Sequence, residues 1–538
     1  MNPTFTRALA GAILLATAVL HSCADRPRSS RYNLDFEYTN LQGEPSQWFL
    51  PDPSYRGYTA TRDSRVRHHG QSSLRLEQTD TAKHEWADFS RVLPDSLTAG
   101  HEVELSGWIR TEEVTEGFAD LALFPSGEAD HTRLTLDTLG RGRRGTTDWH
   151  RITLRRQIPD SASGISIGGM LKGRGRAWFD DFEIRIDGRR LPDPMISTPR
   201  TRLTRQEKRT LRKYLYPLRG CDPTEADSGE LRLLDPLVGT CKVVALGENS
   251  HGASEIFRMK ERLIRYLTTR QEFDQVVFEA GMGEGVFLDN YIRRGIGTAK
   301  AAIFGLGMWV WDTHEVLSLV EWMRQRNADG HPIRFWGIDM QMTDMTESLL
   351  RMALGKDTTA VQRLDEIGPK LDKVLTYDNE YRAQIDPRLA REIAQGLDAI
   401  ESRIDPSVPD AHDRAMLRQW ITLIRQYLGL GEDIYWRDRC MADNLLWLRG
   451  QYPDSRIVLW AHNGHISKAD DRLGRWLQDR LGADYVNFGF TFYRGRCSIT
   501  VPDSEELQHD VQTAPPGTLE HLLHQLGEPI FILSLIHI

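Results

Sequence analysis

The sequence of 538 residues predicts two domains, an all-β sandwich followed by an α/β domain with a mostly parallel sheet and a helical insertion. From about residue 31 to residue 190, short alternating runs rich in β-branched and aromatic residues recur between turn residues, as they do in β-sandwiches. From residue 205 onward, short apolar runs typical of strands buried on both faces are separated by amphipathic stretches of helical spacing. Between the two patterns, the polar, proline-bearing residues 191–204 are predicted to be a linker.

Residues 1–23 are predicted to be a lipoprotein signal peptide. Arg7 precedes an apolar stretch, Ala8–Leu20, which is too short to span a bilayer and is followed by His-Ser-Cys. This ending resembles the site at which bacterial lipoproteins are cut and lipidated. We therefore expect a lipid on Cys23 and an anchor in a bacterial membrane, at the outer membrane or the cell surface. The alternative is a plain secretory peptide that leaves the protein secreted or periplasmic.

Six runs are interpreted as strands of the sandwich: SSLRLEQ, HEVELSGWIR, ADLALFP, HRITLRRQI, ISIGGMLKG and AWFDDFEIRI. The order of NLDFEY, GQSSLRLEQ, LSGWIRTEEV and WFDDFEI resembles that in jelly-roll carbohydrate-binding-like modules, which implies a jelly roll and a glycan partner. Asp35, Glu37 and Asp181 are either ligands of a structural calcium ion, because carboxylates on neighbouring strands suit a hard cation, or polar residues at strand edges. Five tryptophans are either sugar-stacking faces or core residues: Trp48, Trp86, Trp108, Trp149 and Trp178.

The second pattern predicts an α/β domain over residues 205–538. ASEIFRMKERLIRYLTT places Ile256, Met259, Leu263 and Leu267 at helical spacing, and several long amphipathic stretches predict a helical insertion at about 342–430. The chain ends in the apolar run PIFILSLIHI with no polar tail, so we expect this domain to be truncated at its C-terminus.

The net charge and the cysteine content limit which binding partners and which metal or disulfide sites can be expected. The net charge of −8 gives no electrostatic reason to expect a nucleic acid. The basic residues at 200–219 are interpreted as a solvated helix face, with an anion contact as the alternative. The cysteines after Cys23 have no zinc-type spacing and are too sparse for a disulfide framework, so we interpret them as packing residues.

Ionisable residues follow four of the predicted buried strands, at the end where each strand finishes. In open α/β sheets the ligand crevice lies outside the carboxyl ends of the strands, so these residues are expected to share one crevice. VVAL is followed by Glu248 and His251, QVVF by Glu279, IRFWGI by Asp339, and RIVLWA by His462, Asn463 and His465.

Histidines beside carboxylates predict acid–base chemistry. A histidine takes and returns a proton near neutral pH, and a carboxylate in contact with it fixes its tautomer. We expect His251 to activate a water molecule with either Glu248 or Glu279 as its partner, since the second domain has no Gly-x-Ser-x-Gly motif to supply a serine nucleophile. His462 and His465 are expected to hold the substrate or the developing oxyanion.

Six segments from about Pro223 to Tyr493 resemble, in matching order, the erythromycin esterase family. They are VVALGENSHGASEIFRMKERLIRYL, FDQVVFEAGM, WVWDTHEVLSLVEWMRQRN, RFWGIDMQ, WRDRCMADNLLWL and IVLWAHNGHISK.

The resemblance implies a metal-independent hydrolase without a cofactor. The catalytic residues that it implies are His251 as general base, Glu248 as its paired acid, Glu279 as a second acid, and the later pair His462 and His465. It places Lys260 where some members carry arginine, although lysine cannot make the same bidentate contacts. We expect substrate contacts from Lys260, Asp339 and Asn463.

The substrate predicted from the resemblance is a small-molecule ester. It is either a macrolide lactone, with a role in the response to antibiotics, or an ester on a glycan or another envelope metabolite. One alternative is a metal-dependent hydrolase in which the same glutamates and histidines bind zinc or manganese. Another is a non-catalytic glycan-binding surface lipoprotein. For single residues the alternatives are structural: satisfied histidines at positions 251 and 465, and a helix N-cap or ion-pair partner at Asp339.

Overall fold

The computed structural model describes residues 28–40, 43–51, 57–80, 86–125, 142–160, 162, 164–197, 200–225, 229–377, 383–431, 435–469, 471–498 and 508–535. Cys23 and the rest of the predicted signal peptide lie outside these residues. The chain divides into two compact units, the first running to Arg202 and including Pro515–Thr518, and the second comprising Leu203–Ala514 and Leu519–Ile538. Among the helices of the described residues, none has the length and apolar character needed to cross a membrane.

The described residues of the first unit form antiparallel strands and one short helix, α1 (Asp95–Thr98). Its strands are β1 (Arg28–Ser30), β2 (Tyr58–Asp63), β3 (Ser73–Gln78), β4 (Trp86–Pro94), β5 (Glu102–Pro125), β6 (Arg143–Gln157), β7 (Gly164–Ile186), β8 (Arg189–Arg190) and β9 (Met195–Ser197). Strands β2, β3, β7, β5 and β6 lie side by side in this order, and β4 and β8 also pair with β7.

Two long strands, β5 and β7, fold this sheet into a sandwich. They pair along their whole length and bend at the middle, where Gly173 has a φ of 81° and a Cβ would lie 2.3 Å from the carbonyl oxygen of Thr115. Strand β4 pairs with the first half of β7 and β3 with the second half, so the two halves belong to different layers. Side chains from both halves, such as Ile167 and Ile184, share one buried core. The predicted jelly-roll sandwich is confirmed.

Part of the predicted linker, residues 191–204, belongs to the sandwich. Strand β9 pairs with β1, which begins before the predicted start of the domain at residue 31. The carboxylate of Asp193 accepts hydrogen bonds from the backbone N–H groups of Tyr32 at 2.7 Å and Leu34 at 3.4 Å. The segment is ordered on the sandwich because the backbone groups of β1 require hydrogen-bonding partners.

The second unit alternates strands and helices. Its strands are β10 (Leu215–Pro217), β11 (Val243–Leu246), β12 (Gln275–Gly281), β13 (Arg334–Asp339), β14 (Leu375–Tyr377), β15 (Ala383–Ile385), β16 (Ile457–Trp460), β17 (Tyr485–Phe488), β18 (Gly495–Ser498), β19 (Gln508–Val511) and β20 (Phe531–Leu533). Its helices are α2 (Arg205–Arg212), α3 (Asp235–Val238), α4 (Ser254–Arg270), α5 (Gly285–Arg294), α6 (Ala299–Phe304), α7 (His314–Ala328), α8 (Asp344–Leu354), α9 (Thr358–Val374), α10 (Pro387–Glu401), α11 (Ile404–Ser407), α12 (Ala411–Tyr427), α13 (Trp436–Gln451), α14 (Asn463–Ile466), α15 (Leu473–Leu481) and α16 (Leu519–His524). Short 3₁₀ helices lie at Pro223–Glu225, Glu230–Leu234, Trp309–Trp311 and Gly482–Asp484.

A parallel five-stranded sheet in the order β13-β12-β16-β11-β17 forms the centre of this unit. Alternate residues of each strand enter different cores: Val243 and Ala245 pack on one face, and Val244 and Leu246 on the other. This is the reason for the continuous apolar runs, because successive side chains of a strand point to opposite faces and helices cover both. The predicted α/β fold with a parallel sheet is confirmed.

Helices α8 to α12 and the hairpin β14–β15 form the predicted helical insertion between β13 and β16. Several of these helices begin at an aspartate whose side chain accepts backbone N–H bonds, as Asp357 does from Thr359 and Ala360. The basic segment forms α2, which buries none of its side chains. That exposure agrees with the interpretation of residues 200–219 as a solvated helix face.

Candidate active site

Glu248 follows β11 and lies fully buried at the centre of a set of hydrogen-bond donors. His251 Nδ1 lies 2.7 Å from Glu248 Oε1, while Lys260 Nζ and Trp460 Nε1 lie 2.6 and 2.9 Å from Oε2. Lys260, on α4, has no exposed side-chain area, and its ammonium lies 4.5 Å from the centre of the Trp460 ring. Both carboxylate oxygens are therefore held from several directions.

Burial and charge act on Glu248 and Lys260 in opposite senses. Burial acts to raise the pKa of Glu248, but Lys260 and His251 outweigh it and the net shift is downward. Burial lowers the pKa of Lys260 to about 8, although Glu248 opposes this shift. At neutral pH both groups are therefore charged, and Glu248 is an ionised hydrogen-bond acceptor.

His251 is oriented by this acceptor. Because ionised Glu248 can only accept, the hydrogen bond at His251 Nδ1 carries the ring proton, and the neutral ring has its lone pair on Nε2. The side chain is 35% exposed. Its ring centre lies 5.5 Å from that of His462 and 6.1 Å from that of Trp309, which meets it edge-on at 86°. His251 and the His462 turn thus come within contact distance, as the strand-end argument predicts.

Glu279, at the end of β12, has different partners from Glu248. Its Oε2 accepts the backbone N–H of His462 at 2.9 Å, and its Oε1 lies 2.7 Å from Arg437 Nη2 and 3.2 Å from His465 Nε2. Burial acts to raise the pKa of Glu279, but His465 and Arg437 outweigh it and hold the pKa well below its usual range. Of the two glutamates expected as partners of His251, Glu248 is the one in contact with it.

His465 is bound through both ring nitrogens. Its Nδ1 lies 2.7 Å from Asp438 Oδ1, and its Nε2 lies against Glu279. Burial acts to lower the pKa of His465, but Asp438 and Glu279 outweigh it and raise the pKa to about 9. Arg437 Nη1 also lies 3.0 Å from Nε2, and the shared carboxylate of Glu279 balances both cations. His465 is therefore a fixed imidazolium at neutral pH.

His462 is the neutral member of the pair. Its Nδ1 accepts the backbone N–H of Gly464 at 3.1 Å, so the neutral ring has its proton on Nε2. Burial and His251 lower its pKa, against smaller opposing effects from Glu279, Glu248 and the backbone of Asn249. His462 is thus a hydrogen-bond donor through its Nε2. It lies close to His251, whose own Nε2 has the lone pair of a base.

Three residues expected to bind substrate have structural partners instead. Lys260 is fully buried under Glu248. Asp339, at the end of β13, is 2% exposed and receives Arg437 at 2.6 Å, which matches the ion-pair alternative for this residue. Asn463 donates to the carbonyl of Phe490 at 2.7 Å and accepts the backbone N–H of the same residue at 3.2 Å. Each of these side chains is thus bonded within the protein, and its contact with the substrate stays a prediction.

The sequence interpretation missed Arg437, Asp438 and Trp460. Arg437 and Asp438 lie at the start of α13, within the WRDRC segment that carries the family resemblance, and Arg437 joins Glu279, Asp339 and His465. Adjacent opposite charges at the start of the helix, inside a segment that carries the resemblance, are a signal that could have found them. Trp460 ends β16 inside an apolar run, and nothing in the sequence separates it from a core residue.

The calcium prediction finds no support in the described residues. Asp35, Glu37 and Asp181 do line one cavity of about 730 Å³ in the first unit. Glu37, however, accepts the backbone N–H groups of Gln71 and Ser72, and Asp181 lies 2.6 Å from His68 Nδ1. In the part of the chain that the structure describes, no three or more His, Cys, Asp or Glu side chains form a group that could bind a metal ion. The donor sets of both units therefore fit a metal poorly.

Comparisons with known proteins identify the class of the second unit. The model of the erythromycin esterase family matches residues 268–537, half of the chain, and the chain belongs to this family. The erythromycin esterase type II of Escherichia coli is 25% identical over 320 residues, which cover 51% of this chain and 74% of that protein. A crystal structure of a Bacillus cereus protein, 24% identical, covers 60% of this chain and 83% of its own, with a TM-score of 0.53, and shares the fold.

The first unit is similar to a xylan-binding domain of family 22 from Paenibacillus barcinonensis. The match is 15% identical and covers 31% of this chain and 97% of that domain, with a TM-score of 0.20.

Proposed function

We propose that the second unit hydrolyses a carboxylic ester or lactone with a water molecule activated by His251. The observation that carries this proposal is the hydrogen bond between His251 Nδ1 and ionised Glu248, which leaves Nε2 as a base. Among the described residues Nε2 has no hydrogen-bond partner. The neutral donor His462 lies beside it, at a ring-centre distance of 5.5 Å.

Each step of the reaction has a residue suited to it. His251 Nε2 removes a proton from water, and the resulting hydroxide oxygen bonds to the carbonyl carbon. The carbonyl π electrons move onto its oxygen, which the Nε2–H of His462 stabilises. The intermediate then collapses, the bond to the alcohol oxygen breaks, and His251 returns the proton to that oxygen. Glu248 stabilises the imidazolium between these steps, and His465, Glu279 and Arg437 position the turn that carries His462.

The substrate is proposed to be a small ester met outside the cytoplasm. The family name and the Escherichia coli relative support a macrolide lactone and a role in the response to antibiotics. The predicted lipid on Cys23 and the preceding sandwich favour an ester on a glycan or another envelope metabolite. We propose that the reaction uses no metal, because Glu248, Glu279 and His465 are already paired with Lys260, Arg437 and Asp438, and His251 Nε2, unpaired among the described residues, cannot by itself hold zinc or manganese.

A panel of macrolide lactones, acetylated glycans and simple esters tests the proposal. In the presence of chelator, wild type should hydrolyse at least one class, and His251→Ala should lower kcat by about 10²- to 10⁴-fold, the usual contribution of a general base. His331→Ala, which changes an exposed histidine of the same unit, should retain full activity. Activity that chelator removes and zinc or manganese restores would support the metal-dependent alternative. Silence across the panel, together with binding on a glycan array, would support the non-catalytic one.

Glycan binding by the first unit is a second candidate. Trp48 and Trp178 are buried in the sandwich, but Trp108 is half-buried and stacks on His68, with ring centres 4.0 Å apart, and Trp149 meets His68 edge-on at 5.6 Å. Aromatic rings at the surface suit sugar C–H groups. Trp108→Ala in the full chain should weaken retention on the glycans of an immobilised glycan array while ester hydrolysis is unchanged. Equal retention of the variant and wild type would reject this surface.

The N-terminal sequence supports a lipid anchor at Cys23. In a bacterial host, Cys23→Ser should move the protein from the membrane fraction to the soluble fraction without changing its specific activity. An unchanged distribution would instead favour the plain secretory peptide.

A further inference from the structure

An exposed tryptophan lies beside the proposed base. Trp309 is 45% exposed, although it belongs to a 3₁₀ turn, Trp309–Trp311, whose other end is buried. Trp311 is 1% exposed and packs against Phe278 and Trp460, with ring centres 4.8 and 6.0 Å away. The turn is therefore fixed to the core at Trp311 and presents the indole of Trp309 to solvent.

A hydrogen bond between two helices also holds the segment that carries Trp309 near the segment that carries His251. Helix α7 begins shortly after the turn, and Glu315 in its first turn accepts a hydrogen bond from Ser254 Oγ at 2.5 Å. Ser254 begins α4, three residues after His251. The two segments that carry the indole and the imidazole are thus joined directly, and their rings meet edge-on at 6.1 Å.

His462 and His251 differ in the side chains that lie beside them. Around His462 lie Glu279, Arg437 and His465, which are bound to one another, so their charges are largely used within the protein. His251 also has charged neighbours, Glu248 and Lys260, but they are buried, and the exposed side chain beside it is the indole of Trp309. A substrate bound at His251 therefore has an apolar ring within reach.

We propose that Trp309 is a specificity-determining residue that binds the apolar ring portion of the substrate next to the ester carbonyl. This inference rests on the proposed ester hydrolysis. It assigns the substrate to bulky cyclic esters or lactones rather than to small acyl esters, because a rigid indole gains contact area with an aliphatic ring and almost none with a methyl group.

Two matched pairs of esters test the assignment. The acyl pair is p-nitrophenyl acetate and p-nitrophenyl cyclohexanecarboxylate, and the alcohol pair is methyl acetate and cyclohexyl acetate. In at least one pair, Trp309→Ala should lower kcat/KM for the cyclic ester about 10- to 100-fold, mainly through KM, and change the small ester less than about threefold. Trp309→Phe should recover most of the loss. Phe304→Ala, which removes another exposed aromatic side chain five residues earlier, is the matched control and should change neither ester.

The outcomes separate the inference from the function on which it rests. A wild type that hydrolyses none of the four esters and no macrolide lactone contradicts both. Hydrolysis in which Trp309→Ala leaves the preference for cyclic esters unchanged contradicts the inference alone. An equal loss for small and cyclic esters, with a shifted pH profile of kcat/KM, also overturns it, since the indole would then act on His251. Thermal unfolding of both Trp309 variants checks that each is folded.

Discussion

His251 and His465 look alike in the sequence but have different surroundings in the structure. Each is hydrogen-bonded through Nδ1 to a carboxylate, Glu248 for one and Asp438 for the other. The second nitrogen of His465 lies against Glu279, and Asp438 and Glu279 together raise the pKa of His465 to about 9. Nε2 of His251 has no hydrogen-bond partner among the described residues. A histidine at the end of a strand is therefore available as a base only when one nitrogen stays unpaired.

The glutamates differ in a parallel way. Glu248 has Lys260 as its cation and accepts its other hydrogen bonds from two side chains, His251 and Trp460. Glu279 has Arg437 and His465 as cations and accepts a hydrogen bond from a backbone group, the N–H of His462. One carboxylate thus sets the state of a base, and the other sets the position of a turn.

The largest effect is expected from Lys260→Met. This change leaves Glu248 buried without its cation, and breaking a buried ion pair costs about 3–5 kcal/mol of the free energy of unfolding. Glu248 would then become protonated and stop accepting the proton of His251, so we also expect kcat to fall by about 10²-fold or more. Urea unfolding and steady-state kinetics measure both. Lys356→Met, at an exposed lysine of the same unit, is the control. A Lys260→Met protein that matches wild type in both measurements would contradict the role given to the pair.

His462→Ala separates the donor from the base. If Nε2–H stabilises the oxyanion, its loss should lower kcat by about 10²- to 10³-fold with little change in KM, as for other oxyanion donors. His462→Gln keeps an N–H donor and should recover part of the loss. The bond from the backbone of residue 462 to Glu279 survives both changes, so the turn should stay in place. A kcat within twofold of wild type for His462→Ala would rule out this donor.

The comparison of the histidines also predicts a pH dependence of stability. The pKa of His465 is about 9 in the folded protein and about 6.5 in an unfolded chain, so its stabilisation is fully present below about pH 6.5 and is lost as pH rises through about 9. The difference in free energy of unfolding between wild type and His465→Gln should be larger at pH 6 than at pH 10 by about 3 kcal/mol. Denaturant titrations at the two pH values measure it, with exposed His331→Gln as the control. A difference that does not change with pH would mean that His465 is neutral.

The fold was predictable to the extent that it depends on local periodicity. The alternating runs and the fully apolar runs correctly indicated a sandwich and a parallel sheet. They did not show that HEVELSGWIR and ADLALFP belong to one strand, β5, or ISIGGMLKG and AWFDDFEIRI to β7. Pairing continues through the bends, where Glu113, Glu116 and Gly173 have positive φ, and no local pattern distinguishes such a bend from a turn.

The site was predictable in location but not in detail. The strand-end rule brought Glu248, Glu279, Asp339 and the His462 turn to one edge of the sheet, because topology alone fixes that placement. It could not assign partners, since these depend on side chains distant in sequence. Arg437 is 158 residues from Glu279 and 98 from Asp339. Lys260 is likewise buried beside Trp460, and both side chains donate to Glu248, which lies 212 residues before Trp460.

The smallest effect is expected from Arg437→Lys. Arg437 donates from Nη2 to Glu279 at 2.7 Å and to Asp339 at 2.6 Å, and from Nε to Asp339 at 3.1 Å. Lysine keeps the charge but has one nitrogen in place of this planar fork. Loss of one charge-assisted hydrogen bond should loosen Glu279 and the His462 turn, and lower kcat by about tenfold with KM unchanged. Steady-state kinetics measure it, with exposed Arg480→Lys as the control. Full activity of Arg437→Lys would mean that Glu279 needs only a nearby cation. In that case the His462 turn would keep its position without the guanidinium fork of Arg437. Glu248 and Glu279 would then differ only in the charges around them.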